Sequence, residues 1–417
     1  MWWQAAKIYE LYIDKFAGDI RTLTERLDYF TQLGVNCLHI LPHYPSPMVD
    51  EGYDVSDYRG VRAELGTLND FEEFLAAAKA KGIRIITDLV LNHTSVEHPR
   101  FIEARSSKES PKRRYYLWSE TGREFPDAIN PMPFAKPRNW IPSGAGDYFF
   151  ATFYPQQADL NWDEPAVFDE MLSIMEFWIE RGVDGFRLDA VPFLIKREGT
   201  DCTNLPETHA RVRKLRAALA AHPDVALLAE AGTHSWMYFG NGDECQLVYN
   251  FYLTECFWIA LMRGDASGVE RAMAQTRNIP PHCQWVTFLG NHDAITIYSL
   301  SGEEKRAVIR QLDPSGAYTS GDSPAVRVAE ALSGYTEKML AAFEMLYRAP
   351  GAPVMYYGDE LGMRNLPARE GVADKRLYVR APFEWEEARR QMSDPSSFFS
   401  RVAAIIRGSR ACDGSQR

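Results

Sequence analysis

The sequence predicts a (β/α)8 barrel, an α/β fold of parallel strands with helical crossovers. Two observations carry that expectation. Short β-branched apolar runs alternate with longer amphipathic stretches along the 417 residues, and the runs number eight. A third observation separates the barrel from a doubly wound sheet: no GxGxxG or GxxxxGK(S/T) follows any run, so the Gly-rich first turn of a nucleotide-binding sheet is missing.

Taken in order, the strands are expected at Ile8–Ile13, Val35–Leu41, Ile83–Leu91, Val183–Ala190, Val225–Ala229, Gln246–Phe251, Trp285–Leu289 and Pro353–Tyr357. Amphipathic helices are expected at Leu23–Leu33, Leu68–Lys81, Ala166–Arg181, Thr208–Ala221 and Glu337–Tyr347, with Ser397–Ile406 as the eighth. One interval breaks the rhythm. From His93 to Pro165 there are nine prolines, many aromatics (Trp118, Trp140, Tyr148, Phe149, Phe150, Phe153, Tyr154) and no convincing long helix. A loop of that length in a compact domain folds on its own account. Residues 93–165 are therefore expected as a small inserted domain on the active-site rim, and 1–92 with 166–417 as the barrel. A second irregular patch, Asp313–Pro324, interrupts the seventh crossover.

Composition narrows the partners. Forty-six basic against fifty-seven acidic side chains leave a net charge of −11, which argues against nucleic acid and anionic membrane surfaces. No stretch nears the roughly 18 consecutive apolar residues of a membrane span. The start, Met1-Trp2-Trp3-Gln4 followed by Lys7, Glu10 and Asp14, lacks a basic end and an apolar signal core. Six cysteines (37, 202, 245, 256, 283, 412) form no CxxC pair and read as reduced thiols. A cytoplasmic protein is expected.

Candidate chemistry gathers at the ends of the expected strands. In Asp184-Gly-Phe-Arg-Leu-Asp189-Ala, alternation puts Gly185, Arg187 and Asp189 on one face. A guanidinium beside a carboxylate favours its ionised form, which suits a nucleophile; a structural ion pair at the barrel end would look the same. Glu230 ends the apolar run Leu227-Leu-Ala229, where desolvation would suit a general acid, although a paired buried glutamate is the plainer alternative. Asn291-His292-Asp293 ends the seventh run, and His93 follows the face carrying Asp88, Val90 and Asn92. His39 and His43 are four apart but fall on a strand and a Pro-bearing turn, a poor metal pair. Asn92-His93-Thr94 matches a glycosylation sequon, which a barrel end discounts. Acidic groups at the C-terminal ends of the fourth, fifth and seventh strands converge where barrel enzymes keep their active sites. Two close carboxyls perform retaining glycoside chemistry, and aromatics on the insertion would suit stacking against sugar faces.

These stretches resemble the α-amylase superfamily (glycoside hydrolase family 13) of retaining glycosidases and transglycosidases over nearly the whole chain. The motifs occur in order: Asp88-Leu-Val-Leu-Asn92-His93, Gln157-Ala-Asp159-Leu-Asn161-Trp162, Gly185-Phe-Arg187-Leu-Asp189, Glu230 in Leu-Ala-Glu-Ala, Asn291-His292-Asp293, and Tyr356-Tyr-Gly-Asp359-Glu360-Leu-Gly362. The resemblance implies Asp189 as nucleophile, Glu230 as acid/base and Asp293 as the carboxylate binding the sugar 2- and 3-hydroxyls. It implies Arg187, His93 and His292 as the lining of the glucose pocket, and Asp159 and Asn161 as structural residues closing the insertion.

Within the family the chain is most similar to trehalose synthases and amylosucrases. The likeness lies in Leu41-Pro-His-Tyr-Pro-Ser-Pro47, Arg197-Glu-Gly-Thr-Asp-Cys-Thr-Asn-Leu-Pro-Glu-Thr-His209 and Gly242-Asp-Glu-Cys245. It implies that Asp50, paired with Arg380, blocks the pocket beyond the first glucose, with Tyr53 as the aromatic floor. The implied substrates are short α-glucosides of the maltose type, taken from the non-reducing end; a sucrose-using glucosyltransferase is the alternative, and a non-catalytic barrel a remote one. No cofactor is implied. The calcium loop of many exo-acting relatives is reduced to Asp14, Gly18 and Asp19 around Phe16, so no metal is expected. The stretch from Arg380 to Trp385 departs from the Arg-Thr-Pro-Met-Gln-Trp form, which leaves acceptor specificity open. Too few residues follow the eighth helix for the family's usual β-sandwich, so either the protein does without it or the chain is truncated; an apolar patch left bare without it would offer a surface for a homo-oligomer.

Overall fold

The structure, a computed structural model, describes residues 1–232 and 234–409; Cys412 of the sequence reading lies outside the described residues. Eight strands form the expected barrel: β1 (Ile8–Leu11), β2 (Cys37–Ile40), β3 (Arg84–Val90), β4 (Gly185–Asp189), β5 (Ala226–Ala229), β6 (Leu247–Tyr249), β7 (Gln284–Phe288) and β8 (Ala352–Tyr356). They close in the order β1-β8-β7-β6-β5-β4-β3-β2. The pairings β1–β8, β7–β8, β6–β7, β4–β5 and β3–β4 are parallel. The runs that are apolar on both faces became these strands because a barrel wall is covered on both sides, by side chains inside and helices outside. No helix among the described residues is long and apolar enough to cross a membrane.

The chain divides into two compact units, one made of Met1–His39, Ala77–Ile85 and residues 246 onward, the other of Ile40–Ala76 and Ile86–Cys245. In the first unit the expected helix Leu23–Leu33 is two helices, Ile20–Glu25 and Leu27–Leu33. The break falls at Arg26 (ψ 8°), whose guanidinium lies over the Trp385 ring, 3.7 Å from its centroid. Asp19 caps the first helix by accepting from Thr22 N at 2.7 Å, and Gly34 ends the second in the left-handed conformation that glycine adopts without strain. The patch at 313–324 is a two-stranded hairpin, Thr319–Ser320 against Ser323–Pro324. The buried Asp313 organises its start, accepting from Tyr318 N (2.9 Å) and from the hydroxyls of Ser315 and Thr319. The eighth helix is Phe398–Gly408, capped by Ser397.

In the second unit, β3, β4 and β5 lie side by side, with Asp88 in register with Arg187 and Val90 with Asp189. Segment 93–165 builds two small sheets. His93–Ser95 pairs with Gln157–Asp159, and Tyr148–Phe150 pairs with both Trp118–Ser119 and Trp140–Pro142. Three of its seven named aromatics are its own core, and Trp118, Tyr148, Phe153 and Tyr154 are half-buried. Trp140, Phe149 and Phe150 are buried, Trp140 packs on Phe150 at 4.9 Å, and Phe149 packs on Phe101 at 5.0 Å. The expectation that these rings meet sugar is corrected to that extent: a segment with short strands needs its large apolar side chains to bury enough surface to fold.

At Gly185 of β4 there is no room for a side chain against β5. A Cβ there would stand 2.8 Å from the carbonyl oxygen of Ala226 and 3.3 Å from its Cβ. Because that obstacle is backbone, Gly185→Ala must push the strands apart, and we expect a loss of about 1–3 kcal/mol. Thermal unfolding monitored by circular dichroism checks this; an unchanged midpoint would show that the strands accommodate the methyl group.

Candidate active site

The second unit gathers its charges on one side chain. Arg187, on β4, is 1% exposed. Its Nη1 donates to Asp88 Oδ1 at 2.6 Å and is also bonded to Asp189; its Nη2 is paired with Glu230. Tyr53 completes the group, its hydroxyl 3.4 Å from both Arg187 Nη1 and Asp88 Oδ2. Burial opposes the guanidinium charge, yet Asp88, Glu230, Tyr53 and Asp189 together hold it charged, with its pKa well above the ordinary value. The strands dictate this meeting. Alternation puts Arg187 and Asp189 on one face, and register brings Asp88 of β3 beside Arg187.

The backbone ties the two candidate catalytic carboxylates more closely. Glu230, just past β5, donates its N–H to Leu188 O at 3.3 Å. Ala190, directly after Asp189, takes the left-handed conformation (φ 49°) and turns its N–H onto Glu230 Oε2 at 3.1 Å. Asp189 is 7% exposed, whereas the Glu230 side chain is 21% exposed. Both carboxylates are thus fixed against one guanidinium while keeping an open side.

Around them, His93 is buried and pushed down to about 4 by that burial, so it is a neutral imidazole near pH 7. Phe153 lies against it (5.4 Å) and against Phe193 (5.3 Å). Asp50 accepts from Gln157 Nε2 at 3.0 Å. Asp159 is fully buried, accepting from Thr152 N (2.8 Å) and pairing with Lys196 at 2.6 Å; Lys196 also donates to Asn92 Oδ1 at 2.9 Å. Buried and bonded, Asn92 is no glycan acceptor in this fold. His43 stacks on Phe71 (4.4 Å) and meets Trp178 edge-on (5.0 Å).

The first unit holds the other candidates. Asp293 Oδ1 accepts from Arg376 (3.2 Å) and Arg380 (3.1 Å), and its Oδ2 lies 3.3 Å from His292 Nε2. Arg380 Nε donates to the His292 carbonyl at 2.9 Å. His39 is bonded to Glu10 at 3.1 Å. Asp50 and Arg380, expected as partners, fall in different units. Sequence reasoning noted Asp88 without a role and missed Lys196 and Arg376. For Asp88 the signal was present, because it shares a strand face with Val90. For the other two there was none, their partners lying 37 and 83 residues away.

A buried arginine binds carboxylates at the ends of adjacent parallel strands, where barrel enzymes keep their active sites. A family model described as the α-amylase catalytic domain matches residues 7–316, and the chain belongs to that family. It is similar to trehalose synthase/amylase TreS of Mycolicibacterium smegmatis, 39% identical over 402 residues that cover 92% of this chain and 67% of that protein. Trehalose synthase of Pimelobacter sp. strain R48 is 38% identical, covering 89% of this chain and 69% of its own length. Among solved structures, an isomaltulose synthase (PalI) of Klebsiella sp. LX3 superposes with a TM-score of 0.76 at 26% identity, over 97% of this chain and 84% of that one. The chain thus spans about two thirds of the length of these two trehalose synthases.

The Lys196–Asp159 pair makes a test of the insertion's attachment. Removing the ammonium leaves a carboxylate buried without its counter-charge, so Lys196→Met is expected to destabilise the protein by about 3–5 kcal/mol. Adding Asp159→Asn should recover part of the loss in urea unfolding; no recovery would mean that Lys196 acts through packing alone.

Proposed function

We propose that this protein is a retaining, exo-acting enzyme on short α-glucosides, working through a glucosyl ester on Asp189. The observation that carries the reading is the bonding of Asp189 and Glu230 to one guanidinium. Two carboxyls sharing Arg187 fit the close spacing of retaining enzymes, about 5–5.5 Å, better than the roughly 6.5–9.5 Å of inverting ones. Asp189 attacks the anomeric carbon while Glu230 gives a proton to the departing oxygen. The bond to the leaving sugar breaks as the ester forms. Water or a sugar hydroxyl then attacks the ester, losing its proton to Glu230 and releasing Asp189.

The remaining residues take binding roles in this reading. Asp293 accepts the 2- and 3-hydroxyls with His292 and Arg380 beside it, His93 lines the glucose pocket, Tyr53 is its floor, and Asp50 closes it beyond the first glucose. Segment 93–165 forms part of the rim. Likeness to two trehalose synthases favours maltose-type substrates and transfer. The isomaltulose synthase neighbour favours sucrose as the second reading. The five described cysteines are free and buried, which fits a reducing, cytoplasmic setting.

Separate incubations with maltose and sucrose, followed by chromatography, test this. Trehalose from maltose with little glucose supports isomerisation, and mostly glucose supports an α-glucosidase. Fructose from sucrose with maltose untouched moves the enzyme to the second reading, and no change in either sugar overturns both. Asp189→Asn should lower kcat by on the order of 10^4-fold or more with the fold intact; an active variant would remove the nucleophile assignment.

A further inference from the structure

Glu10 has no part in that reading, yet its carboxylate is fully buried on β1. An anion taken out of water must be surrounded by donors. Three elements supply them. His39 Nδ1 of β2 lies 3.1 Å from Oε2, and the Tyr249 hydroxyl of β6 lies 3.5 Å from the same oxygen. His292, beyond β7, brings both its Nδ1 (2.9 Å) and its backbone N–H (3.1 Å) to Oε1. Burial pushes the carboxyl up, but the charge and hydrogen bond of His292, joined by those of His39, outweigh it and hold Glu10 well below the ordinary carboxylate range.

The opposite edge of the same ring meets a second acid. His292 Nε2 is 3.3 Å from Asp293 Oδ2, so each ring nitrogen faces a carboxylate oxygen. A neutral imidazole has one N–H and one lone pair. In either tautomer, one carboxylate would meet that lone pair. A ring protonated on both nitrogens donates to both acids. The other charges nearby are Arg380, on the His292 carbonyl and Asp293, and Arg376, shared between Asp293 and Asp374 (2.7 Å). Arg376 thus has Asp374 as a second carboxylate, whereas Arg380 shares Asp293 with Arg376 and His292. The Tyr12 ring closes the remaining side, edge-on to His292 at 5.9 Å.

We propose that Glu10 is a positioning residue that keeps His292 an imidazolium with its Nε2–H aimed at Asp293. The proposal rests on the role given above to Asp293. Glu10 touches no substrate in it. A cationic ring so placed counters the charge of Asp293 and presents a fixed donor beside the bound hydroxyls, so its benefit is expected in turnover more than in binding.

The test begins without substrate. Nitrogen-15 resonances of the His292 ring, assigned as those absent from His292→Gln, should show two protonated nitrogens at about pH 7 in the wild-type protein. In Glu10→Gln, which keeps shape and removes charge, they should show a neutral ring at the same pH. A neutral ring in the wild type overturns the proposal, and so does an unchanged imidazolium in the variant. If Glu10→Gln does not fold, the wild-type spectrum still decides. On the substrate found active, kcat of Glu10→Gln should fall about 10- to 100-fold, the factor of one charge-assisted hydrogen bond, with KM nearly unchanged. A rise in KM at constant kcat would count against it. The ring signature does not depend on which sugar is turned over, so failure of the substrate assignment and failure of this proposal are read separately.

Discussion

Taking the Arg187 guanidinium out of water is the constraint on which the arrangement of β3, β4 and β5 depends. A buried charge of this kind costs several kcal/mol unless its donors are satisfied by anions at close range. Asp88, Asp189 and Glu230 come from three neighbouring strands and answer that demand together. The register of β3 on β4 is therefore an electrostatic condition as much as a packing one, since a slip of one residue would turn Asp88 away from Arg187.

Asp293, in the other unit, follows a different logic. It is bonded to two arginines and a histidine, but at 3.1–3.3 Å, the long end of the range for charged pairs, and its side chain is 29% exposed. Such a carboxylate is held in place and still has lone pairs to give to hydroxyl groups. Glu10 shows the contrary case, fully enclosed and bonded on both oxygens, which suits a residue that orients another and binds nothing itself.

Much of this was legible in the sequence because barrel strands advertise themselves. Each of the eight apolar runs is a strand; six are shorter than the run, where the chain leaves the hydrogen-bonded ladder, and two, Gln284–Phe288 and Ala352–Tyr356, lie one residue earlier. The pair Arg187–Asp189 was legible for the same reason, since two residues apart on a strand means one face. Long-range polar contacts were not. Glu10 is a lone charge in Ile8–Leu11, Lys196 opens a charged run after Phe193-Leu-Ile195, and their partners lie 282 and 37 residues away. The aromatics of the insertion misled because a ring that could stack on sugar is written in the sequence like a ring that fills a core. Burial separates the two: Phe149 and Phe150 are enclosed, while Phe153 is half-buried beside His93.

The stretch after Arg380, where the chain departs from its relatives' pattern, can be judged by the same criterion. Phe383 is buried and packs on Phe16 at 4.6 Å, and its N–H donates to Lys15 O at 2.8 Å. Trp385 meets Phe16 at 5.0 Å and Tyr29 at 5.3 Å, and donates its indole N–H to the Phe16 carbonyl. Tyr29 in turn shares the buried carboxylate of Glu360 with Tyr9. Phe383 and Trp385 are thus spent on a core of aromatic rings joined to a buried acid. A change there is felt first as a change in packing, because interiors this dense transmit a lost methylene to their neighbours. Arg380, three residues before Phe383, sits at the edge of that core with its guanidinium on Asp293. A change at Phe383 or Trp385 is therefore felt at Asp293 through the placement of Arg380.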